Sequence, residues 1–288
     1  MRIRIYAAAL ATVACLALPT ASTAAPKFAV WLDGNLTAGG GGNGILTSLD
    51  HAFGTGSYTL VTTAQLETSG FLASYQALIV SRYDASFGGA LSTLARTNVA
   101  AWVGTGAAQG GVALFTNDLA DNLYGATTGD PFDANLDRLF VNAATYAAAT
   151  GHGYIGEFNG SVEAMAMGLL PGTANAVHGT GGSSDGHFHF DVGPIGASNP
   201  IDSGVTFPFT DLDTSLFRTD ITGSPSANIV DVYDDNGLPA VLANSAVIRG
   251  GGAAAAGVPT LTEWGLVLLG ILLAFVAARA LRTSPARQ

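Results

Sequence analysis

The 288-residue chain contains very little cysteine and very few basic residues. Cys15 is its one cysteine and Lys27 its one lysine, and 11 basic residues stand against 21 acidic ones. Without a basic stripe the chain cannot neutralise nucleic-acid phosphates, so its charge excludes nucleic-acid binding. A single cysteine forms neither an internal disulfide nor a cysteine-based metal site. The glycine-rich residues 39–44 lack the lysine of a phosphate loop, and we predict no cofactor.

Residues 1–25 have the three parts of a secretory signal peptide. Two arginines precede an apolar run over residues 6–18, and small residues follow that run. The run is too short for a retained anchor, so we expect a signal peptidase to cut after Ala24. Cys15 lies within the removed segment. The exported chain is therefore expected to carry no thiol nucleophile.

A second apolar segment near the C-terminus predicts a single transmembrane helix over residues 264–281. Counted from residue 261 to residue 281, it rises about 31 Å as a helix, which barely spans the hydrocarbon core of a bilayer. Arg279 and Arg282 place the tail on the cytoplasmic side and the body outside. Such a marginal span predicts a transient anchor, with an ordinary single-pass anchor as the alternative.

The residues around this helix resemble the IPTL-type C-terminal protein-sorting signal of Gram-negative bacteria. The resemblance rests on Val258, Pro259, Thr260, Leu261, Trp264, Gly265, Arg279 and Arg282, with Val258 where isoleucine is usual. It implies cleavage by a membrane-embedded exosortase-type transpeptidase and transfer to the cell surface. The preceding residues 250–257 are rich in glycine and alanine, which predicts a flexible linker that exposes the motif.

These assignments divide the chain into a signal peptide (1–25), an exported domain (26–249), a linker (250–257) and a sorting signal (258–288). Residues 26–258 hold six basic and twenty acidic side chains, a formal net charge of −14. That charge favours solubility and tolerance of divalent cations over contact with acidic polymers.

The exported domain begins with apolar runs of strand length that alternate with segments of helical period. The predicted strands cover residues 28–32, 58–62, 77–80, 111–115 and 153–156, and the predicted helices cover residues 91–103 and 134–149. Unbroken apolar strands separated by helices indicate a parallel sheet covered on both faces. We predict an α/β fold, a parallel-sheet three-layer sandwich. Short β-like pieces after residue 171 are expected to extend or cover the same sheet.

Three stretches of the domain resemble the class I glutamine-amidotransferase-like superfamily, which has a flavodoxin-like fold. Residues 98–103 and 110–115 look like its helix, glycine pair and strand. Residues 151–160 are similar to its glycine-rich approach and G-x-C-x-G elbow, and residues 199–204 to a late turn of ThuA-like members. Phe158 stands at the cysteine position. The resemblance therefore implies the scaffold without its thiol chemistry.

The elbow stretch also contains polar side chains that suit general acid/base chemistry. Glu157 and His152 are candidates for an acid/base pair, with Asn159 as a hydrogen-bond donor. The alternative is structural: Phe158 packs under the sheet, Glu157 is solvated and His152 lies in a loop. We favour the structural alternative.

A third candidate site lies in the run of residues 187–191. In a strand, His187, His189 and Asp191 share one face, and two imidazoles with a carboxylate suit a zinc-like ion. A third histidine such as His178 would have to come from elsewhere. The favoured alternative is a half-buried strand with polar residues outward. The acidic residues 231–237 are interpreted as a turn rather than a calcium loop.

The sequence thus predicts an exported cell-surface protein whose body is a non-catalytic binding or structural module, with a surface glycan or matrix as a possible partner. The alternative is an extracytoplasmic enzyme: a hydrolase that uses His152 and Glu157, or a metal-dependent enzyme that uses His187 and His189.

Overall fold

A computed structural model of the protein describes residues 26–32, 43–81, 91–117, 119, 122–125, 131–157, 167–180, 185–212 and 217–244. These residues belong to one compact unit, Ala25–Ile248. The predicted signal peptide, linker, sorting signal and helix 264–281 lie outside the described residues. Within the ranges described, no helix is both long enough and apolar enough to cross a membrane.

The described residues form eleven strands and four α-helices. The strands are β1 (Phe28–Leu32), β2 (Tyr58–Leu60), β3 (Ala77–Ser81), β4 (Val112–Phe115), β5 (Gly153–Glu157), β6 (Ala176–Thr180), β7 (Phe188–Val192), β8 (Phe209–Asp211), β9 (Phe217–Ile221), β10 (Ile229–Tyr233) and β11 (Pro239–Ala243). The helices are α1 (Asn43–Phe53), α2 (Thr63–Leu66), α3 (Thr93–Val103) and α4 (Ala134–Ala148). The α/β class predicted from the sequence is confirmed.

Strands β1 to β5 are parallel and separate two apolar cores. In β1, Phe28 and Val30 face the core that contains α1 and α4, and Ala29 and Trp31 face the core that contains α2 and α3. This alternation is the period-2 pattern of a strand buried on both faces, and it makes this half a three-layer sandwich. The strand order is β2-β1-β3-β5-β4. It differs from the flavodoxin-like order 2-1-3-4-5, so that part of the prediction is wrong.

The remaining strands make the large sheet mixed rather than parallel, which corrects the prediction of a parallel sheet. After β4 the order continues β11-β10-β7-β8, and each of these pairs is antiparallel. Strands β10 and β11 are antiparallel because a short turn joins them, and Gly237 in that turn has φ +69°. Residues 234–236 form a turn, as predicted, whereas residues 231–233 lie in β10 instead. The extension of the sheet by later strands is confirmed. Strands β6 and β9 form a separate antiparallel pair.

Glycines allow the start of β5 to pack tightly against its neighbours. A Cβ at Gly153 would lie 2.0 Å from the carbonyl oxygen of Ala147 in α4, and a Cβ at Gly110 would lie 2.1 Å from that of His152. Any side chain at these positions would clash with backbone atoms. Gly110 and Gly153, which belong to the stretches of the amidotransferase-like resemblance, are therefore required by close backbone packing.

Candidate functional site

The carboxyl ends of the central parallel strands bring polar residues to one edge of the sheet. Ser81 ends β3, Glu157 ends β5, and Thr116 and Asn117 follow β4. In open α/β sheets, ligands bind in the crevice at this edge. This edge is therefore the position where the fold favours a ligand site.

Glu157 is buried and holds three chain segments together. Only 1% of the residue is exposed. The Ser81 hydroxyl donates to its Oε2 at 2.5 Å, and the backbone N–H of Leu119 donates to its Oε1 at 3.0 Å. Our expectation of a solvated Glu157 is wrong, because the carboxylate is enclosed between strand ends. With both oxygens accepting hydrogen bonds, the group acts as a fixed acceptor within the fold.

His152 lies at the opposite end of β5 from Glu157. It precedes the strand, its Nδ1 lies 3.1 Å from the carbonyl oxygen of Val103, and its ring meets the Trp102 ring edge-on. Five residues of extended strand separate the two side chains by about 16 Å. The predicted acid/base pair is therefore not brought together, since both groups must reach the same substrate bond. Asn159 and Phe158 lie outside the described residues.

Strand β7 has the alternation expected of a half-buried strand. Phe188 and Phe190 are buried, whereas His189 is half-buried and Asp191 is exposed. Both nitrogens of His189 have neighbours: Nε2 lies 3.2 Å from an Asp185 carboxylate oxygen, and Nδ1 lies 3.3 Å from the Thr210 hydroxyl. The order of polar and apolar faces predicted for this strand is confirmed.

The predicted zinc-like site does not assemble in the part of the chain that the structure describes. His187 precedes β7, and His178 lies in β6, which belongs to the other sheet. Among the described residues, no three His, Cys, Asp or Glu side chains are grouped so that they could hold a metal ion. His187, His189 and Asp191 are thus neighbours in sequence, but they are not grouped as a metal site among the described residues.

Arg218 is a buried cation that the sequence analysis did not single out. Its Nε donates to Asp220 Oδ1 at 2.6 Å, and its Nη1 lies 3.8 Å from Asp235 Oδ2. Its guanidinium carbon lies 5.1 Å from the ring centroid of Tyr233. We call these residues and Asp211 the Arg218 cluster. Such a cation is favoured next to carboxylates and over an aromatic face.

The Arg218 cluster places β9 over the end of β4. Asn117 forms a backbone bridge with Arg218, and its side-chain amide donates to Asp211 Oδ2 at 3.0 Å. The backbone N–H of Thr219 donates to the carbonyl oxygen of Thr116 at 2.7 Å. The strand therefore covers the sheet edge at β4. In the sequence, two polar residues directly after an apolar strand, Thr116 and Asn117, indicate this edge of the sheet. No local pattern indicates that Arg218 pairs with them.

Tyr233 closes the same cluster from β10. Its hydroxyl lies 3.0 Å from the Thr116 hydroxyl, and the residue is completely buried. Burial raises the pKa of Tyr233, so the phenol stays neutral. The Tyr233 hydroxyl thus forms a hydrogen bond that connects β10 with the residue after β4.

A second buried acidic group lies further along the mixed sheet. Asp231 of β10 is completely buried. Its carboxyl lies beside that of Asp202, which belongs to the 3₁₀ turn Pro200–Asp202. Burial raises the pKa of Asp202 to about 6. Burial, and then the charges of Asp202 and Asp191, raise the pKa of Asp231 well above its ordinary value. The sequence analysis included Asp202 in the stretch 199–204 and Asp231 in the stretch 231–237, but it assigned neither residue a role.

Comparison with known proteins identifies the C-terminal segment. Residues 256–283 match the family model of the IPTL-CTERM motif. This match confirms the predicted C-terminal sorting signal and implies a sorted, exported protein with a cell-surface destination. No curated protein and no solved structure matches the chain. The amidotransferase-like resemblance of the body is therefore not supported by a matching protein or structure.

Proposed function

We propose that the protein reaches the cell surface through its C-terminal signal, residues 258–288. The match over residues 256–283 is the observation that carries the proposal, since it includes all eight residues on which the resemblance rests. In this proposal a signal peptidase removes residues 1–25, and an exosortase-type enzyme cuts at the C-terminal motif.

In this proposal the predicted helix 264–281 holds the motif at the membrane until the motif is cleaved. Its apolar residues hold the chain in the membrane, and Arg279 and Arg282 keep the tail on the cytoplasmic side. The body then stands outside the membrane on the linker of residues 250–257. Cleavage at the motif releases the body from this transient anchor.

The body serves in this proposal as a binding or structural module of the surface, and Phe158 stands where the amidotransferase-like resemblance has its cysteine. Three observations support it: both Glu157 oxygens accept hydrogen bonds within the fold, His152 lies at the other end of β5, and β9 covers the end of β4. The strand order limits the amidotransferase-like resemblance to its local glycine motifs. Surface glycan is the partner class that the destination favours.

The sorting proposal is tested by changing the motif while leaving the body intact. A Pro259→Ala/Thr260→Ala variant and a matched Thr262→Ala control would be expressed in a host that carries an exosortase. We expect the wild-type chain and the control to reach the surface without their C-terminal segment, and the double variant to keep that segment and stay in the membrane fraction. Equal shortening of all three chains would contradict the proposal.

A further inference from the structure

Asp202 and Asp231 form a buried pair of acids, here called the aspartate pair. Their four carboxyl oxygens are buried and receive no hydrogen bond from any other group of the described residues. Asp231 is fully buried in the middle of β10. Two charged carboxylates in such a place would repel each other strongly and lose their hydration. A proton shared between them removes one charge and supplies the missing donor.

The backbone at Gly196 packs closely against the Asp202 carboxyl. A Cβ at Gly196 would lie 2.3 Å from Asp202 Oδ2 and 2.4 Å from the carbonyl oxygen of Val230. Gly196 thus lies against both the Asp202 carboxyl and Val230, the residue next to Asp231. The turn that carries Asp202 is also fixed to α4, because the Asn142 amide donates to the carbonyl oxygens of Ile201 and Ser203.

The remaining charged groups near the pair do not neutralise it. From β7, Asp191 adds a further negative charge, and His189 pairs with Asp185 instead. Strand β11 and the turn Gly196–Ser198 contribute no titratable side chain.

Helix α4, which packs on the turn of Asp202, directs its charged groups elsewhere. Arg138 Nη1 would lie 3.8 Å from a Cβ at Gly204, and no salt bridge joins it to Asp202 or Asp231, both of which the structure describes. Asp137 accepts a hydrogen bond from the Ser48 hydroxyl, and the Tyr146 hydroxyl donates to Asn244. On β10 itself, the Tyr233 hydroxyl is directed to Thr116.

We propose that Asp202 and Asp231 share a proton, and that this shared proton is a latch that holds residues 193–204 against β10. Two backbone hydrogen bonds report on the latched segment: Gly193 N–H to the carbonyl oxygen of Val230, and Ile195 N–H to that of Ile229. Loss of the proton leaves two adjacent buried charges, and the segment then opens to hydrate them.

The direction of the pH effect follows from the raised pKa values of both aspartates. When the segment opens, both carboxyls return to their ordinary pKa of about 4, and the proton they shared is released near neutral pH. The latch therefore contributes most below about pH 4 and weakens as the pH rises through 6 and beyond. The release of one proton raises the opening constant by about tenfold per pH unit.

Hydrogen exchange of the full-length protein tests the latch. Protection factors, which correct for the intrinsic pH dependence of exchange, are measured at the Gly193 and Ile195 amides between pH 6 and pH 8. We expect wild-type protection to fall by about tenfold per pH unit. The Asp231→Asn variant should lose this slope, because an amide donates permanently to Asp202. Asp234→Asn, a change of an exposed aspartate on the neighbouring turn, should keep it.

Three results would overturn the latch. The first is a flat wild-type profile, which needs no variant to interpret. The second is a slope that persists in both Asp231→Asn and the reciprocal Asp202→Asn. The third is a wild-type slope that millimolar Ca²⁺ abolishes at these amides while Asp231→Asn does not respond, which would assign the pair to a cation instead.

Discussion

The parallel half of the sheet, β1 to β5, and the antiparallel half, β7, β8, β10 and β11, bury carboxyl groups in different ways. In the parallel half, buried Glu157 accepts hydrogen bonds from Ser81 and Leu119, which follow neighbouring strands. In the antiparallel half, buried Asp231 meets a second acid, Asp202. One carboxyl is satisfied by donors that the fold provides, and the other depends on a proton taken from the medium.

This difference indicates that the two halves respond differently to their surroundings. Donors from backbone and hydroxyl groups do not titrate near neutral pH, so the hydrogen bonds to Glu157 need no proton from the external medium. The aspartate pair exchanges a proton with that medium. A protein exposed outside the cell would thus combine a fixed parallel half with a pH-dependent segment in its antiparallel half.

The largest expected effect is the loss of the buried acceptor in the parallel half. Glu157→Ala leaves the Ser81 hydroxyl and the Leu119 N–H buried without an acceptor and opens a cavity, so we expect a loss of about 4 kcal/mol in the free energy of unfolding. Glu157→Gln keeps the shape and one acceptor oxygen and should lose about 2 kcal/mol. Denaturant unfolding measures both; equal, small losses would contradict the role given to the carboxylate.

A smaller loss is expected when the buried cation of β9 is removed. Arg218→Met keeps much of the packing on the Tyr233 ring but leaves Asp220 and Asp235 without their partner. Both aspartates are about one quarter exposed, so water compensates part of the loss, and we expect about 2 kcal/mol. Thermal unfolding of this variant and of the control Arg96→Met, on the exposed side of α3, measures the difference. If the two variants melt together, β9 is not held by its arginine.

The smallest expected effect concerns a helix end in the parallel half. Asp133 begins α4, and its carboxyl accepts hydrogen bonds from the Asn135 and Leu136 N–H groups. Asp133→Ala should cost about 1 kcal/mol of stability. Burial raises the pKa of Asp133 because it penalises the charged carboxylate; Asp133→Asn keeps an acceptor without that charge and should remain close to wild type. Thermal unfolding distinguishes the two variants, and an Asn variant as unstable as the Ala variant would argue against the cap.

Much of the parallel half could be predicted because hydrophobic period and helix length are local properties. The bounds of β1 agree with the predicted strand 28–32, and α4 agrees within one residue with the predicted helix 134–149. Helix α1 was missed because its first residues, Asn43 and Gly44, belong to a glycine-rich stretch, and glycine disfavours helix. The mixed sheet and the exchange of β4 and β5 in the order were also missed, since no local pattern encodes which strands pair or in which direction.

The contacts within the candidate sites were even harder to predict, because they join residues that are distant in sequence. Glu157 could be noticed because a carboxylate directly after an apolar strand lies at the ligand-binding edge of an α/β sheet. Its partner Ser81 is 76 residues away in sequence, and the contact depends on strand order. Asp202 and Asp231 are joined across a turn and a strand whose packing no spacing rule predicts. Sequence patterns thus located polar residues but not the neighbours that decide what those residues do.

The central claim is that the C-terminal signal sends a processed body to the cell surface, and an intact-mass measurement of the surface form tests it most directly. The account predicts a mass that lacks both the signal peptide of residues 1–25 and the C-terminal segment beyond the motif at residues 258–261. A surface form that retains helix 264–281 and the arginine tail at full mass would contradict it.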